Sequence, residues 1–439
     1  MSNLPQLAVT MQSLLRDDAR QVERESGFVQ RRSKLAHGVF AQTVVFSWLE
    51  DANATYERMA QVAASLGTVV SPQAIEQRFT ARAADFLRRL LEKALTHVVE
   101  SDPVAIPLLQ RFHGVFIQDS TTITLPDELG TLWPGCGGRT QNGTQAALKL
   151  QTRINLLNGS ITDLELQAGR GQDRNCQMQH APLPSGALRL ADLGYFSLPV
   201  LSEYNAQGVF WLLRYHPQCH VYSGDGQLLE LVSLLKGQKE VTDLPILLGE
   251  AQLACRLIAV RVPRRVAAER RRKLIARARR EGETITQRQL ALQSWTILIT
   301  NLPLDLLSPE EALVFVRLRW QIELLFKLWK SFGQVDESRS TKPYRILCEV
   351  YAKLLAMLLQ HWVLLTCCWE YPNRSVVKAA QTIRQHALAL ATGLRRVNRL
   401  TAALEVIARC LAAGAKMNSR RKNPNAYQLL LSFQFARLG

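Results

Sequence analysis

Three carboxylates in this sequence stand where phosphodiester chemistry could use them. Asp119 and Asp192 come just after apolar, β-prone runs at residues 115–117 and 188–191, so each is expected at the end of a strand. Glu323 lies in a run with helical periodicity. Two strand-end aspartates and one helix-borne glutamate predict a site for a pair of hard cations. The alternative for a single aspartate after a strand is a turn or cap residue.

The run around Glu323 places its charged residues on one side of a helix. With Arg319 at zero and 100° per residue, Lys330 lies at about 20° and Glu323 at about 40°. Phe315 and Phe326 lie within about 60° of Arg319, so these charges border an apolar face. An Arg and a Glu four residues apart usually form a surface pair. Charges at the margin of a core face are costly unless they have partners, which favours a functional site.

The spacing Arg319-x3-Glu323-x6-Lys330 resembles the Y-R-E-K signature of bacterial insertion-sequence transposases of the DDE class. Residues 118–121 resemble the first Asp motif of that family, and residues 192–195 resemble the second. The separations between the three carboxylates, 73 and 131 residues, also resemble the family. The likeness covers roughly residues 110–370, and the helix motif is its most specific part.

The resemblance implies an α/β fold with a ribonuclease-H-like catalytic core, a β-rich insertion, and helical N- and C-terminal regions. It implies that two Mg²⁺ ions, for which Mn²⁺ substitutes, are held by Asp119, Asp192 and Glu323. Arg319 and Lys330 would then hold phosphates near the bond that is cut. One position departs from the signature, because Val316 stands where the family has a Tyr. A phenol that could bond a phosphate is therefore absent.

The resemblance also implies partners. They are double-stranded DNA with terminal inverted repeats, a target DNA, and a second copy of the chain in a synaptic homodimer. Composition agrees, because 54 Lys and Arg against 37 Asp and Glu give a net charge of +17, which suits a polyanion.

Membrane and zinc are not expected as partners. Residues 1–12 do not read as a secretory signal, and the apolar stretch at 354–369 is shorter than a typical membrane span and carries Gln360 and His361. The eight Cys show no CxxC spacing, so zinc is not expected and reduced thiols are. The expected location is the bacterial cytoplasm, in association with the nucleoid.

The elements that must position these groups begin with a helical region at residues 1–108. Within it, residues 56–79 have the outline of a helix-turn-helix, in which Gly67 closes the first helix and Ser71 caps the second. An ordinary αα-hairpin is the alternative. A recognition helix would present three side chains to a major groove, namely Gln73, Gln77 and Arg78.

Residues 109–215 read as the first part of the core, with strands and one helix, and residues 216–301 as the insertion. Inside the insertion, nine of the seventeen residues at 264–280 are Arg or Lys. Such a run is usually a solvated face. Beside a catalytic sheet we expect it to contact a DNA backbone, with these members as candidates: Arg270, Arg271, Arg272 and Lys273.

Trp295 begins a predicted strand 28 residues before Glu323. In the hairpin-forming relatives, a Trp on the strand that leads to the catalytic helix stacks on a base flipped out of the duplex. The resemblance therefore implies that Trp295 contacts DNA. The alternative is an aromatic residue packed in the core.

Residues 302–345 carry the catalytic helix, whose start has the capping pattern of Ser308 and Glu311. Residues 346–439 again read as helical, with a basic patch at residues 420–422. In the cut-and-paste relatives, C-terminal helices pair two transposases, whereas here they could also merely cover the core.

The leading functional prediction is a DDE transposase that cuts DNA at transposon ends and joins them to a target. A catalytically inactive, domesticated DNA-binding protein and a stand-alone ribonuclease-H-like nuclease are the alternatives. Val316 is the only support for the first alternative. Short inverted repeats flanking the gene would separate the transposase from both.

Overall fold

The computed structural model describes residues 3–30, 33–104, 106–137, 145–238, 240–369, 371 and 373–417. The basic patch predicted at residues 420–422 lies outside the described residues. Within the described residues, the helices in chain order are α1 (Leu4–Gln12), α2 (Ala19–Glu25), α3 (Val39–Glu50), α4 (Tyr56–Ser65), α5 (Pro72–Glu76), α6 (Ala81–Ala94), α7 (Leu198–Ala206), α8 (Leu231–Lys236), α9 (Arg264–Glu281), α10 (Gln287–Leu292), α11 (Pro309–Leu318), α12 (Trp320–Ser331), α13 (Pro343–Cys368), α14 (Val376–Gln385), α15 (Ala387–Gly393) and α16 (Val397–Gly414).

A π-helical stretch, Ser13–Asp18, joins α1 to α2. The strands of the described residues are β1 (Val115–Leu125), β2 (Ala146–Asn155), β3 (Ile161–Ala168), β4 (Leu188–Ala191), β5 (Phe210–Arg214), β6 (Val221–Tyr222), β7 (Val241–Leu248), β8 (Leu253–Arg261) and β9 (Trp295–Thr300).

The chain divides into two compact units, and the described residues within 106–119 and 172–320 belong to the second. Its strands follow the order β1-β4-β5-β9-β8-β7-β6. β1 pairs parallel with β4 and β4 pairs parallel with β5, whereas the pairs from β5 to β6 are antiparallel. The core of this sheet contains the fully buried Trp211 and Leu257. A mixed α/β fold with helical flanks is therefore confirmed.

The first unit contains the described residues within 1–105, 120–171 and 321–427. Its sheet portion has the order β3-β2-β1, in which β2 and β3 form an antiparallel hairpin. The predicted helical character of the N-terminal region is confirmed for the described residues before β1. α13 is buried along most of its length, and 89% of its most apolar stretch is inside the protein. The prediction of a buried helix for the apolar stretch at 354–369 is thus confirmed.

The α4–α5 hairpin is tied to α13 through one buried arginine. The Arg345 guanidinium lies 4.4 Å from the ring of Phe79, 4.6 Å from Trp48 and 5.4 Å from Tyr56. It also donates to the Glu349 carboxylate at 2.7 Å. Since a buried charge is tolerated only with partners, this cluster fixes the hairpin on α13.

His361 in α13 gives the fold a dependence on pH. The ring is buried, its Nε2 donates to the Gly159 carbonyl oxygen at 2.8 Å, and burial lowers the pKa of His361 from 6.5 to about 4. The unfolded chain therefore binds a proton more readily than the folded one. The neutral ring stabilises the fold above pH 6.5, and this contribution is lost as the pH falls towards 4.

We expect the wild type to lose about 3 kcal/mol of unfolding free energy relative to His361→Gln between pH 6.5 and pH 4. The glutamine amide keeps a donor for Gly159 but does not titrate. Urea unfolding of both proteins at several pH values measures the difference. A difference that stays constant with pH would contradict the assignment.

Candidate active site

Asp119 and Asp192 lie side by side along the parallel pair of β1 and β4. The register places Gln118 opposite Ala191, so each aspartate is the next residue beyond that pair. Asp192 keeps an extended backbone, with φ −80° and ψ 168°. Because side chains alternate along an extended chain, both carboxylates point to the face opposite Gln118. The two predicted aspartates are therefore neighbours on one face.

The prediction that Asp119 ends a strand is wrong. β1 continues from Val115 to Leu125, so Asp119 lies inside it. What ends at Gln118 is the pairing with β4, because β4 stops at Ala191 and turns into the 3₁₀ turn Leu193–Tyr195. The carboxylate is half-buried at the point where one neighbouring strand has left the sheet.

Arg319 is an immediate neighbour of Asp119. Its Nη1 lies 3.0 Å from Asp119 Oδ2, and the two side chains are 18% and 17% exposed. The residues are 200 positions apart in sequence. Arg319 separates α11 from α12 but keeps helical dihedrals, with φ −51° and ψ −28°. A cation thus already neutralises one of the predicted metal ligands.

The beginning of α11 is fixed by the capping pattern predicted from sequence. Ser308 and Glu311 form the complete capping box. Glu311 is buried and accepts hydrogen bonds from both Nη atoms of Arg111 at 3.1 Å. The ring of Phe315 meets that of Phe112 edge to face at 5.6 Å. These contacts connect α11 to the segment before β1, which sets where Arg319 falls.

Glu323 and Lys330 lie on α12 in the first unit. Lys330 Nζ donates to the Thr122 carbonyl oxygen on β1 at 2.8 Å and lies 3.8 Å from the Asp336 carboxylate. Glu323 is half-buried. Among the described residues, no group of three or more His, Cys, Asp or Glu side chains is arranged to hold a metal ion. The place of Glu323 in a metal site therefore stays a prediction.

The Asp119–Asp192 pair nevertheless fits a hard cation. Both donors are carboxylates, which Mg²⁺ and Mn²⁺ favour, and they share one face of adjacent extended segments. The guanidinium of Arg319 already provides positive charge at Asp119 Oδ2. The chemistry of the donors therefore fits a hard cation, which would compete with the Arg319 guanidinium for Asp119 Oδ2.

Residues 110–359 match a family model described as a transposase DDE domain, which covers more than half of the chain. The chain belongs to the DDE transposase family. A DDE domain depends on divalent metal ions, which agrees with the paired aspartates. The prediction of a DNA transposase is thereby confirmed, while the narrower Y-R-E-K group stays a prediction.

Curated relatives support the same conclusion over most of the chain. The transposase is 28% identical over 361 residues to the transposase for insertion sequence element IS231E of Bacillus thuringiensis subsp. finitimus, covering 76% of this chain and 74% of that protein. It is 24% identical over 438 residues to the transposase for IS231F of Bacillus thuringiensis subsp. israelensis, covering 93% and 91%. It is 25% identical over 381 residues to the transposase for IS1151 of Clostridium perfringens, covering 80% and 78%.

Trp295 of the transposase is 8% exposed and begins β9 as predicted. Arg261 lies over its ring at 5.3 Å. The same tryptophan borders a cavity of about 400 Å³ in the second unit. Its lining includes Leu193, the residue after Asp192, and four cations: Arg214, Arg270, Lys273 and Arg277.

The basic helix α9 forms as predicted, but its cations divide into two groups. Arg270 donates to the Trp295 carbonyl oxygen at 3.0 Å, and Arg271 donates to Ser294 Oγ at 2.6 Å. These two hold α9 against the start of β9, a role that the sequence does not suggest. Arg272 and Lys273 are exposed, although Lys273 pairs with Glu269 at 2.8 Å.

The predicted helix-turn-helix is an α4–α5 hairpin with a very short second helix. Gly67 is left-handed, with φ +80°, and Ser71 accepts from the Ala74 backbone N–H, so both caps are confirmed. α5 ends at Glu76, earlier than the predicted Phe79. Gln73 and Gln77 are exposed. Arg78 instead donates to Ser33 and lies 5.8 Å from the ring of Phe28.

Arg214 is a residue that sequence reasoning missed. It is exposed at the end of β5. Burial of the Arg270 guanidinium lowers the pKa of Arg270, and the nearby charge of Arg214 lowers it further. A single arginine after an apolar strand has no local pattern to distinguish it. Only the packing of α9 on the sheet brings Arg214 beside the other cations.

Proposed function

We propose that this transposase cuts DNA at the ends of an insertion sequence and joins those ends to a target, and that it belongs to the Y-R-E-K group. The observation that carries the proposal is the parallel register that sets Asp119 beside Asp192, with Arg319 at 3.0 Å from Asp119. Asp119, Asp192 and Glu323 would hold two Mg²⁺ ions, or Mn²⁺ in their place. Bound there, such ions supply an activated water or 3′-hydroxyl and stabilise the leaving oxygen.

The fold supports the assignment of the core as ribonuclease-H-like. The strand order is β3-β2-β1 in one unit and β1-β4-β5 in the other, with β4 and β5 parallel to β1. Asp119 lies within the first strand, and Asp192 directly follows the fourth. The strands from β6 to β9, together with α9, would form the insertion.

Arg319 and Lys330 would hold phosphates beside the bond that is cut. In the structure Arg319 neutralises Asp119, and Lys330 donates to the Thr122 carbonyl oxygen. On DNA, the planar guanidinium of Arg319 would donate to two phosphate oxygens. Lys330 acts as a point charge on a neighbouring phosphate.

The cavity beside Trp295 supports the proposal that this residue stacks on an extruded base. A volume of about 400 Å³ lined by arginines accommodates a base with its phosphate, and it lies next to the residue that follows Asp192. Trp295 is 8% exposed, so a base would stack on the part of its ring that borders this cavity. Arg214 and Arg277 would meet the phosphate of the extruded nucleotide.

The proposed partners are the inverted-repeat ends, a target duplex and a second copy of the chain in the synaptic complex. The relatives are described as transposases for insertion sequence elements, which supports DNA ends as the substrate. The direct test is incubation with Mg²⁺ and a fragment that carries the element's ends. Cleavage at the element boundary is expected. Failure to cut any such fragment with either Mg²⁺ or Mn²⁺ would contradict the proposal.

Base reading and backbone binding are expected to reside in different elements. Changing Gln73 and Gln77 to Ala should lower the ratio of specific to non-specific affinity, because amide side chains can read adenine edges. Changing the exposed Arg272 and Arg279 to Gln should weaken binding to all sequences and lower the salt slope by about 0.9 for each phosphate that is no longer neutralised. Titrations at several salt concentrations measure both effects.

Arg271 offers a matched control on the same helix, because it bonds Ser294 and Leu290 instead of facing solvent. Arg271→Gln should lower the melting temperature with little change in salt slope. If the double alanine variant at Gln73 and Gln77 loses specific and non-specific affinity equally, the α4–α5 hairpin is structural and another element reads the ends.

A further inference from the structure

The corner between α15 and α16, residues 394–396, is held in place by the N-terminal helices. Gln12 Nε2 donates to the Leu394 carbonyl oxygen at 2.8 Å. Arg16 Nη1 donates to the next carbonyl oxygen, that of Arg395, at 3.2 Å. Because two consecutive carbonyls are bonded to another part of the unit, the backbone of this corner is fixed before any partner binds.

In contrast to its bonded backbone, the arginine side chains of the corner face solvent. Arg395, Arg396 and, one turn later, Arg399 are exposed, and no ion pair joins any of them to an acidic residue of the described part of the chain. On α6 of the same unit, by contrast, Arg88 and Arg89 both pair with Asp85, at 2.8 and 2.7 Å. We call Arg395, Arg396 and Arg399 the basic corner.

Helix stability does not explain these cations. Arg396 is the N-cap of α16 and Arg399 lies in its first turn, where the helix dipole disfavours positive charge. No acidic residue occupies that turn. Residues 376–414 carry six Lys or Arg and a single acid, Glu405, so the surrounding sequence does not neutralise them either. A fixed, uncompensated positive surface is suited to a polyanionic partner.

The basic corner adjoins the turn of the α4–α5 hairpin. Gly67 lies so close to Arg395 that a Cβ at this position would overlap Arg395 Nη2. On the other side of the turn, the exposed Lys34 donates to the Val69 carbonyl oxygen at 3.3 Å. Two cations from distant parts of the chain thus flank the turn that precedes α5.

We propose that the basic corner grips the DNA backbone beside the bases that face α5, so that the C-terminal helices form part of the DNA-binding surface. This inference rests on the proposed binding of DNA ends by the transposase. Guanidinium groups suit the role because each can donate two parallel hydrogen bonds to a phosphate. The fixed backbone reduces the entropy cost of ordering the arginines on the DNA.

The test is the salt dependence of binding to an end fragment by R395Q/R396Q/R399Q. Log affinity decreases with log salt, and the steepness of this decrease should become smaller by about 0.9 for each phosphate that the corner no longer neutralises. Affinity near 0.15 M salt should fall roughly 10- to 100-fold. R88Q/R89Q/K93Q removes three cations from α6 of the same unit, where acids already neutralise them, and should leave the slope unchanged. R395K/R396K/R399K should keep most of the slope, since lysine retains the charge.

An unchanged slope in the folded glutamine variant would overturn the proposal. So would a change in self-association without a change in slope, because the corner would then be a protein interface. If the triple variant does not fold, R396Q and R399Q tested singly decide the same question. Should the wild type cut its ends normally while these variants bind normally, the proposed function would stand and only this inference would fail.

Discussion

Asp119→Asn and Asp192→Asn are each expected to reduce Mg²⁺-dependent cleavage of an end fragment by about 10³-fold or more. The amide keeps the size of the carboxylate but removes the charge that would hold a cation. Glu323→Gln should have the same effect if it completes the site. Specific end binding should persist, because phosphates and bases are bound elsewhere and less negative charge faces the DNA.

Asp305→Asn provides a matched control, since this aspartate is exposed in the loop before α11 and outside all three motifs. It should cut at the wild-type rate. Cleavage, end binding and melting temperature need to be measured on the same preparations, because Asp119→Asn also removes the partner of Arg319. Any variant that cuts normally removes its residue from the proposed site, and Glu323 is the residue whose role this experiment decides.

Trp295→Ala is expected to cost about 3–5 kcal/mol of stability, because the ring is 8% exposed and its loss leaves a cavity in the sheet core. That variant therefore cannot separate stacking from folding. Trp295→Leu and Trp295→Phe can, since both keep an apolar side chain and only Phe keeps a flat face. In the Trp295→Leu variant, we expect the rate of the first nick to stay close to the wild-type rate. Closure or opening of the hairpin should be roughly 5- to 100-fold slower.

The Trp295→Phe variant should keep most of the wild-type rate of hairpin closure or opening, although its melting temperature should be similar to that of Trp295→Leu. An abasic nucleotide at the flipped position should partly restore the Leu variant, because the cost of unstacking has been removed. If both variants lose every activity equally, and the losses follow the decrease in melting temperature, Trp295 is a core residue. Normal hairpin chemistry in a folded Leu variant would remove the stacking role altogether.

Several features were predictable because the physical cause lies within a few residues. The Ser308–Glu311 capping box, the left-handed Gly67 and the Ser71 cap each depend on local backbone chemistry, and each forms as predicted. β9 and α9 follow from alternation and from helix-favouring residues. The end of α5 was missed because the Thr80 cap of the next helix stops it, and a cap competes with an otherwise helical pattern.

The sequence by itself determined that two aspartates follow β-prone runs and that the chain is basic. Its periodicity also predicted one helical face for Arg319, Glu323 and Lys330, whereas in the structure Arg319 lies between α11 and α12. Only the tertiary structure decided which group each charged side chain contacts. Arg319 reaches Asp119 across 200 residues, and Arg270 turns inwards to the start of β9 while Arg272 on the same helix stays outside. The basic corner likewise becomes part of the hairpin surface only because Arg395 packs on Gly67. Local patterns fix which backbone forms, but the partner of a charge depends on segments that are distant in sequence and brought together by the packing of the core.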